Sequence, residues 1–303
     1  MPRANAKSLD ERLREEAERR NQSVDELRDA LVRRGLDASD DERRTAADIV
    51  LVTVGNTETD ALEDAAKAFG LGYDKIRGRR INYRKLGMVG TNRVVAMKVE
   101  MGAFSPTGAA ASCIEARAET GATTIILIGT AFGIDPVHQL VGNVLVSESV
   151  YLYDDRRIVD PTRPGTRYEV KHPAEARIVA SGVWLDRFRQ LDDELRQDGE
   201  STRVEIGVIL SGGARIESAV YRDELVRTLP SMDPPIVGGE MEGAGAVSAA
   251  LSDGDDPGWL IVKGISDFAD AESRANINVT RPLAAKASAA AVLRVLQLPP
   301  RSV

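Results

Sequence analysis

One cysteine, Cys113, and two histidines, His138 and His172, are all this 303-residue chain holds of either type. An intramolecular disulfide is therefore excluded, and no thiolate metal cluster can form. The histidines lie too far apart in sequence to make a metal-ligand spacing, so neither a zinc site nor any other metal is expected. Aromatic residues are scarce at 4%. No apolar run approaches the roughly 20 residues needed to cross a bilayer, and the charged N-terminus is unlike a signal peptide. A membrane role is not expected, and a cytoplasmic location is. Excess positive charge is missing too. The formal net charge of -7 argues against a nucleic-acid partner, which calls for a concentrated basic face. Two phosphate-binding signatures are also absent: Gly-x-Gly-x-x-Gly and the Walker-type loop. A Rossmann oxidoreductase and an ATPase are thus disfavoured, and no cofactor is expected.

What remains is an ordinary globular composition, 43% hydrophobic and 29% charged. Residues 1–47 differ from the rest: about half are charged, of both signs, with a narrow stripe at Leu9, Leu13 and Ala17. They read as a short helical N-terminal extension, with a capping pair at Ser23 and Glu26 and a stop at Gly35. Residues 48–303 read as one domain. Buried-type strands are expected at Ile49 to Val54, Val94 to Val99, Thr123 to Ile128, Val144 to Val150, Val204 to Leu210 and Trp259 to Asp267. Helices are expected between them, including Ala174 to Leu195 and Arg281 to Leu296. The polar excursion 154–173, with Pro161, Pro164 and Pro173, reads as an edge loop or lid. Alternating strands and helices predict an α/β fold, with a central sheet covered on both faces.

Glycine-bearing segments follow many of these strands, at the ends where open α/β sheets place ligands. Glu58 stands at the first such junction, where an acid equally favours a helix N-terminus. Gly102 opens a loop whose backbone can approach a ligand closely. Gly238-Gly239-Glu240-Met241-Glu242-Gly243 sets two carboxylates before a helix of small residues, and Asp267 ends the clearest apolar strand. A charge in such surroundings must face a cavity or be paired, because unpaired burial is expensive. Taken singly, Glu240 reads equally well as a plain helix cap and Asp267 as a plain strand-end turn, and Glu58 alone reads better as a helix-start acid.

In order along residues 48 to 297, the motifs resemble those of the nucleoside phosphorylase and nucleosidase superfamily. The likeness is strongest to its methylthioadenosine/S-adenosylhomocysteine nucleosidase branch. It rests on Glu240-Met241-Glu242-Gly243 and on Val262-Lys263-Gly264-Ile265-Ser266-Asp267. The Gly129-Thr130-Ala131-Phe132-Gly133 segment, Gly142 to Ser147 and Ser211-Gly212-Gly213 support them. The resemblance implies a three-layer α/β/α sandwich with a mixed, mostly parallel sheet, and cleavage at the N-glycosidic bond of a purine nucleoside or nucleotide. It implies that Glu58 activates water and that Asp267 is the general acid at purine N7. Glu242 would hold the ribose hydroxyls, Met241 would pack on the sugar, and Glu240 is the first acid of the motif. Arg215 and Ile216 would flank the base, Phe132 and the Gly102 loop would line the site, and Ser266 would support Asp267. A homo-oligomer, dimer or hexamer, is also implied, and Tyr151 or Tyr153 could close a neighbour's pocket or be ordinary structural aromatics.

This sequence departs from the branch in its 1–47 extension, in its 154–173 excursion and at three motif positions. Arg215 stands where a stacking Phe is familiar, Lys263 replaces an Arg, and the first loop reads Gly-Asn-Thr-Glu-Thr. Two alternatives accompany the hydrolytic reading. One is a phosphorylase, with phosphate as co-substrate; the other is an effector-associated module that binds nucleosides without rapid turnover.

Overall fold

The computed structural model describes residues 23, 45–162, 165, 167–180, 182, 184–252 and 258–298, without the side chains of 273 and 274. The helical extension expected over 1–47 lies almost wholly outside the described residues. The elements below belong to one compact unit, Ala46–Val303.

The chain opens with strand β1 (Ile49–Val54), whose residues are apolar on both faces and almost all buried. It turns directly into helix α1 (Gly55–Ala68), which buries Ala61, Leu62, Ala65 and Ala66 along one side. Strands β2 (Asp74–Arg77), β3 (Asn82–Val89) and β4 (Asn92–Val99) follow as an antiparallel meander. Then come α2 (Ala109–Thr120), β5 (Thr124–Gly133) and β6 (Val144–Leu152). The polar excursion carries a separate two-stranded ribbon, β7 (Arg157–Val159) with β8 (Glu169–Lys171).

The continuous helix expected over Ala174 to Leu195 does not form. A single 3-10 turn at Ala174–Ala176 leads into β9 (Arg177–Val179), which pairs with the edge of β6, and α3 starts only at Leu185 (Leu185–Gln197). The edge of β6 offers Arg177–Val179 backbone partners, and these outweigh helical periodicity there. The rest comprises β10 (Val204–Ser211), α4 (Ala219–Thr228), β11 (Ile236–Glu240), α5 (Gly243–Leu251), β12 (Gly258–Asp267), a short α6 (Ala271–Ala275) and a long α7 (Ile277–Gln297).

The main sheet has the order β11-β10-β6-β12-β5-β1-β4-β3-β2. It is mixed: β4, β1, β5 and β12 run parallel, as do β6, β10 and β11, and the two groups meet antiparallel at β6–β12. α1, α3 and α7 cover one face, and α2 and α5 pack on the other. This is the expected α/β layering.

The sheet also curls. β11 pairs antiparallel with β5 as well as parallel with β10, so that Gly239 faces Phe132 and one end of the sheet closes on itself. Gly238-Gly239 allows that closure. A Cβ at Gly239 would run into the Phe132 ring, and one at Gly238 into Leu145 and the Phe132 carbonyl. β5 accordingly continues as strand through Gly133 rather than ending at Ile128.

Candidate active site

A cavity of about 290 Å³ opens where β1, β5, β11 and β12 end. Nine of the ten residues singled out in the sequence line it, from Glu58 to Asp267; the exception is Gly102. Each is placed by a local device.

Glu58 lies in the first turn of α1 and is 7% exposed. Its Oε2 accepts the Val54 backbone N–H at 2.7 Å, and its Oε1 accepts the Thr130 N–H at 2.9 Å, with the Thr130 hydroxyl at 3.3 Å. Gly129 makes room for it: a Cβ there would overlap the carboxylate. Burial pushes the Glu58 carboxyl above its ordinary value, Lys263 and the Val54 N–H oppose the shift, and the charge of Glu242 adds to it.

Glu240 and Glu242, separated only by Met241, have different surroundings. The Glu240 carboxylate turns inward to the start of α5 and accepts the N–H groups of Glu242 and Gly243 at 2.8–2.9 Å. It is a helix cap as well as part of the cavity wall. Burial raises its pKa, against the pull of Lys263. Glu242 stands at the N-cap of α5, but its side chain makes no capping hydrogen bond to the helix. It accepts the Gly102 N–H at 3.3 Å, which gives Gly102 a positioning part rather than a place on the wall. Met241 lies between the two acids on the cavity wall.

Lys263 joins these acids from below. It is wholly buried in the middle of β12, with Nζ 3.7 Å from Glu240 Oε2 and 3.7 Å from Glu242 Oε2. At that separation it is ion-paired but beyond direct hydrogen-bond reach. Burial alone would strip its proton; Glu58, Glu240 and Glu242 together outweigh that and hold the ammonium above its usual pKa. The result is a buried group of three carboxylates around one cation. A lysine inside the run Trp259 to Ile265 was the signal in the sequence, visible there only as a departure from arginine.

Asp267 ends β12. Its Oδ2 is 2.7 Å from the Ser266 hydroxyl, and its Oδ1 accepts the Ala269 N–H at 2.9 Å. That second bond requires a tight turn in which Ala269 takes φ 54°, a conformation that costs a residue bearing a Cβ of order 1 kcal/mol or more. Arg222 of α4, itself buried, pins the turn by donating to the Phe268 carbonyl. Nothing in the sequence around Arg222 distinguished it from a surface arginine.

On the remaining wall, Ile216 is buried, whereas Arg215 is partly exposed and paired with Glu217 at 2.9 Å. Tyr153 sets this segment: its ring packs under Gly212 and its hydroxyl donates to the Ala214 carbonyl at 3.0 Å. Tyr151 donates to the Pro173 carbonyl at 2.6 Å. Both rings are buried inside their own chain, so they are structural aromatics and do not reach out to a neighbour.

The family model of the phosphorylase superfamily matches residues 49–297. The 5'-methylthioadenosine/S-adenosylhomocysteine nucleosidase of Mycobacterium tuberculosis is 27% identical over 223 residues, covering 69% of this chain and 83% of the relative. A death domain-containing ATP nucleosidase of Amphimedon queenslandica is 27% identical over 183 residues, 57% of this chain and 33% of that protein. Among solved structures, the S-adenosylhomocysteine nucleosidase of Streptococcus pyogenes in complex with 5-methylthiotubericidin superposes with a TM-score of 0.64. It is 19% identical, with 84% of this chain and 98% of that one covered. The Neisseria meningitidis 5'-methylthioadenosine/S-adenosylhomocysteine nucleosidase gives 0.61 at 22% identity, over 82% and 99%. At such identities the structures establish a shared fold. The family match runs from β1 to the end of α7 and so takes in every element that builds the cavity; the chain belongs to the phosphorylase superfamily.

Proposed function

We propose that the protein hydrolyses the N-glycosidic bond of a purine nucleoside or nucleotide and releases the free base. The observation that carries this reading is the convergence of Glu58, Glu242 and Asp267 on one cavity, from sequence positions more than two hundred residues apart at the extremes. Breaking the C1′–N9 bond leaves positive charge on the sugar and negative charge on the base. The reaction therefore needs anions near the sugar and a proton donor at the base.

The residues divide that work. Asp267, oriented by Ser266 and the Ala269 N–H, donates a proton to N7 as the base departs. Glu242, with one oxygen toward Gly102, accepts from the ribose hydroxyls, and Met241 packs against the ring. Ionised Glu58 takes a proton from the water that attacks C1′. One C–N bond breaks, one C–O bond forms, and the products are the base and a sugar with a free anomeric hydroxyl. The carboxylate group around Lys263 is fixed before substrate arrives, so the developing sugar cation meets negative charge with little reorganisation. The names of the Mycobacterium and Amphimedon relatives support hydrolysis of an adenine nucleoside or nucleotide.

The test is incubation with a panel of nucleosides and nucleotides, with and without phosphate, following base and sugar products by chromatography. Base release at equal rates in both series is expected. Strict dependence on phosphate, with a sugar 1-phosphate as product, would replace this reading with phosphorolysis.

A further inference from the structure

A second, larger cleft adjoins the first. Its volume is about 670 Å³, and Asn56 and Glu100 line both. The sheet order fixes the direction from one to the other. Asp267 ends β12, Phe132 lies in β5, Glu58 follows β1 and Glu100 follows β4, while the second cleft is walled by β3, β4 and α2. From β12 to β4 is three strand spacings, about 14 Å, enough to seat a nucleoside with its base at Asp267. With the ribose hydroxyls on Glu242, as the proposed function has them, the way out for a C5′ substituent is past Asn56 and Glu100, which the two spaces share.

The cleft's lining is polar and offers cations. Lys98 donates to Asn56 Oδ1 at 3.2 Å, which holds its ammonium at the junction of the two spaces. Arg84 lies over the Tyr73 ring, 5.8 Å from its centre. Neither has a carboxylate within ion-pair distance among the described residues. Arg80 is bound to Glu115 at 2.9 Å, in an exposed pair that can exchange partners. The starts of α1 and α2 both open on the cleft, through Asn56 and Thr107, and neither has a side chain capping it. Four acids also line it. Glu115 is neutralised by Arg80, and Glu63 by Lys67 at 2.7 Å. Asp60 sits in the early turns of α1, near the positive end of that helix, and Glu100 stands at the junction.

We propose that this cleft holds the phosphate chain of a nucleoside 5′-phosphate. Lys98 takes the phosphate nearest the sugar, and Arg84, braced on Tyr73, takes the next. The cleft therefore fits a longer chain better than a single phosphate, and a neutral 5′ group would leave Lys98 and Arg84 without an anion. This rests on the N-glycosidase reading above and narrows its substrate class.

The experiment compares kcat/KM for adenosine, 5'-methylthioadenosine, S-adenosylhomocysteine, AMP, ADP and ATP in the wild type and in Arg84→Ala and Lys98→Ala. In parallel, calorimetry measures ATP and adenosine binding to Glu58→Gln. We expect ATP or ADP to be the best substrate. Each variant should lower the ratio of kcat/KM for ATP over that for adenosine about tenfold or more, as loss of a charge-assisted hydrogen bond does. ATP should bind Glu58→Gln more tightly than adenosine, and raising the salt should reduce the difference. Preference for adenosine, for the thioether or for S-adenosylhomocysteine over ATP would overturn the proposal, as would an unchanged ratio in both variants. Release of no base from any member of the panel would instead overturn the N-glycosidase reading.

Discussion

Asp267 and Glu58 are held with their polar atoms already committed, and this decides what their replacement does. In Asp267→Asn the turn survives, because an amide oxygen can still accept the Ala269 N–H, while the acidic proton is gone. Turnover should fall about 10²-fold or more with KM and far-ultraviolet circular dichroism close to wild type; an undiminished kcat would remove Asp267 from the acid role. As the proposed base Glu58 has to be ionised, and its pKa lies above the ordinary 4.5 because burial outweighs Lys263. The acid limb of kcat/KM should therefore fall above that value. Lys263→Met takes away the opposing cation, so the same limb should move to still higher pH, with Lys263→Arg returning it toward wild type. Breaking a buried ion pair by removing one partner costs about 3–5 kcal/mol, so the variant's Tm should drop as well. A Met variant with an unshifted limb would show that Lys263 does not act on Glu58.

Among the elements, β11 does most to assemble the site. It closes the sheet against β5 and in doing so carries Glu240 and Glu242 to the same cavity as Phe132 and Asp267. The closure depends on close backbone approach at Gly239. Gly239→Ala places a methyl group against the Phe132 ring, which costs about 1–3 kcal/mol if the neighbours shift to take it. The expected result is a lower Tm and a larger loss in kcat/KM than stability alone explains, since Glu242 moves with β11. Wild-type kinetics in a stable Gly239→Ala protein would show that the contact is not needed. Periodicity announced β1, β4, β6, β10 and β12, since most of their residues are buried and apolar, with few polar interruptions. It failed at Arg177–Val179, where a free sheet edge captured a segment with helical spacing.

At the scale of the whole molecule, the site's acids oppose stability. Glu58 and Glu240 both bind their protons more tightly in the folded chain than in an unfolded one. Where the folded state holds more protons, stability falls as pH rises. The contribution of these two groups is fully present below the ordinary glutamate value of 4.5 and is lost as pH climbs through their raised pKa values. Glu58→Gln should therefore flatten the decline of Tm with rising pH above 4.5, while abolishing turnover. A decline as steep as wild type would mean that Glu58 does not titrate within the fold. Among the described residues, no helix is long and apolar enough to cross a membrane.

The sequence alone determined the layering, because apolar runs of strand length separated by helices leave few ways to bury their surface. It also marked the chemistry: acids set among glycine and alanine are too costly to bury without a purpose, and their order along the chain resembled one family. Only the tertiary structure decided how the two glutamates of Glu240-Met241-Glu242 divide their work. That depends on which carboxylate meets the N–H groups at the start of α5, and both stand within three residues of it in sequence. The structure alone also brought Lys263, Thr130, Gly129 and Arg222 to the site, because their partners lie tens to more than a hundred residues away, across the closed end of the sheet.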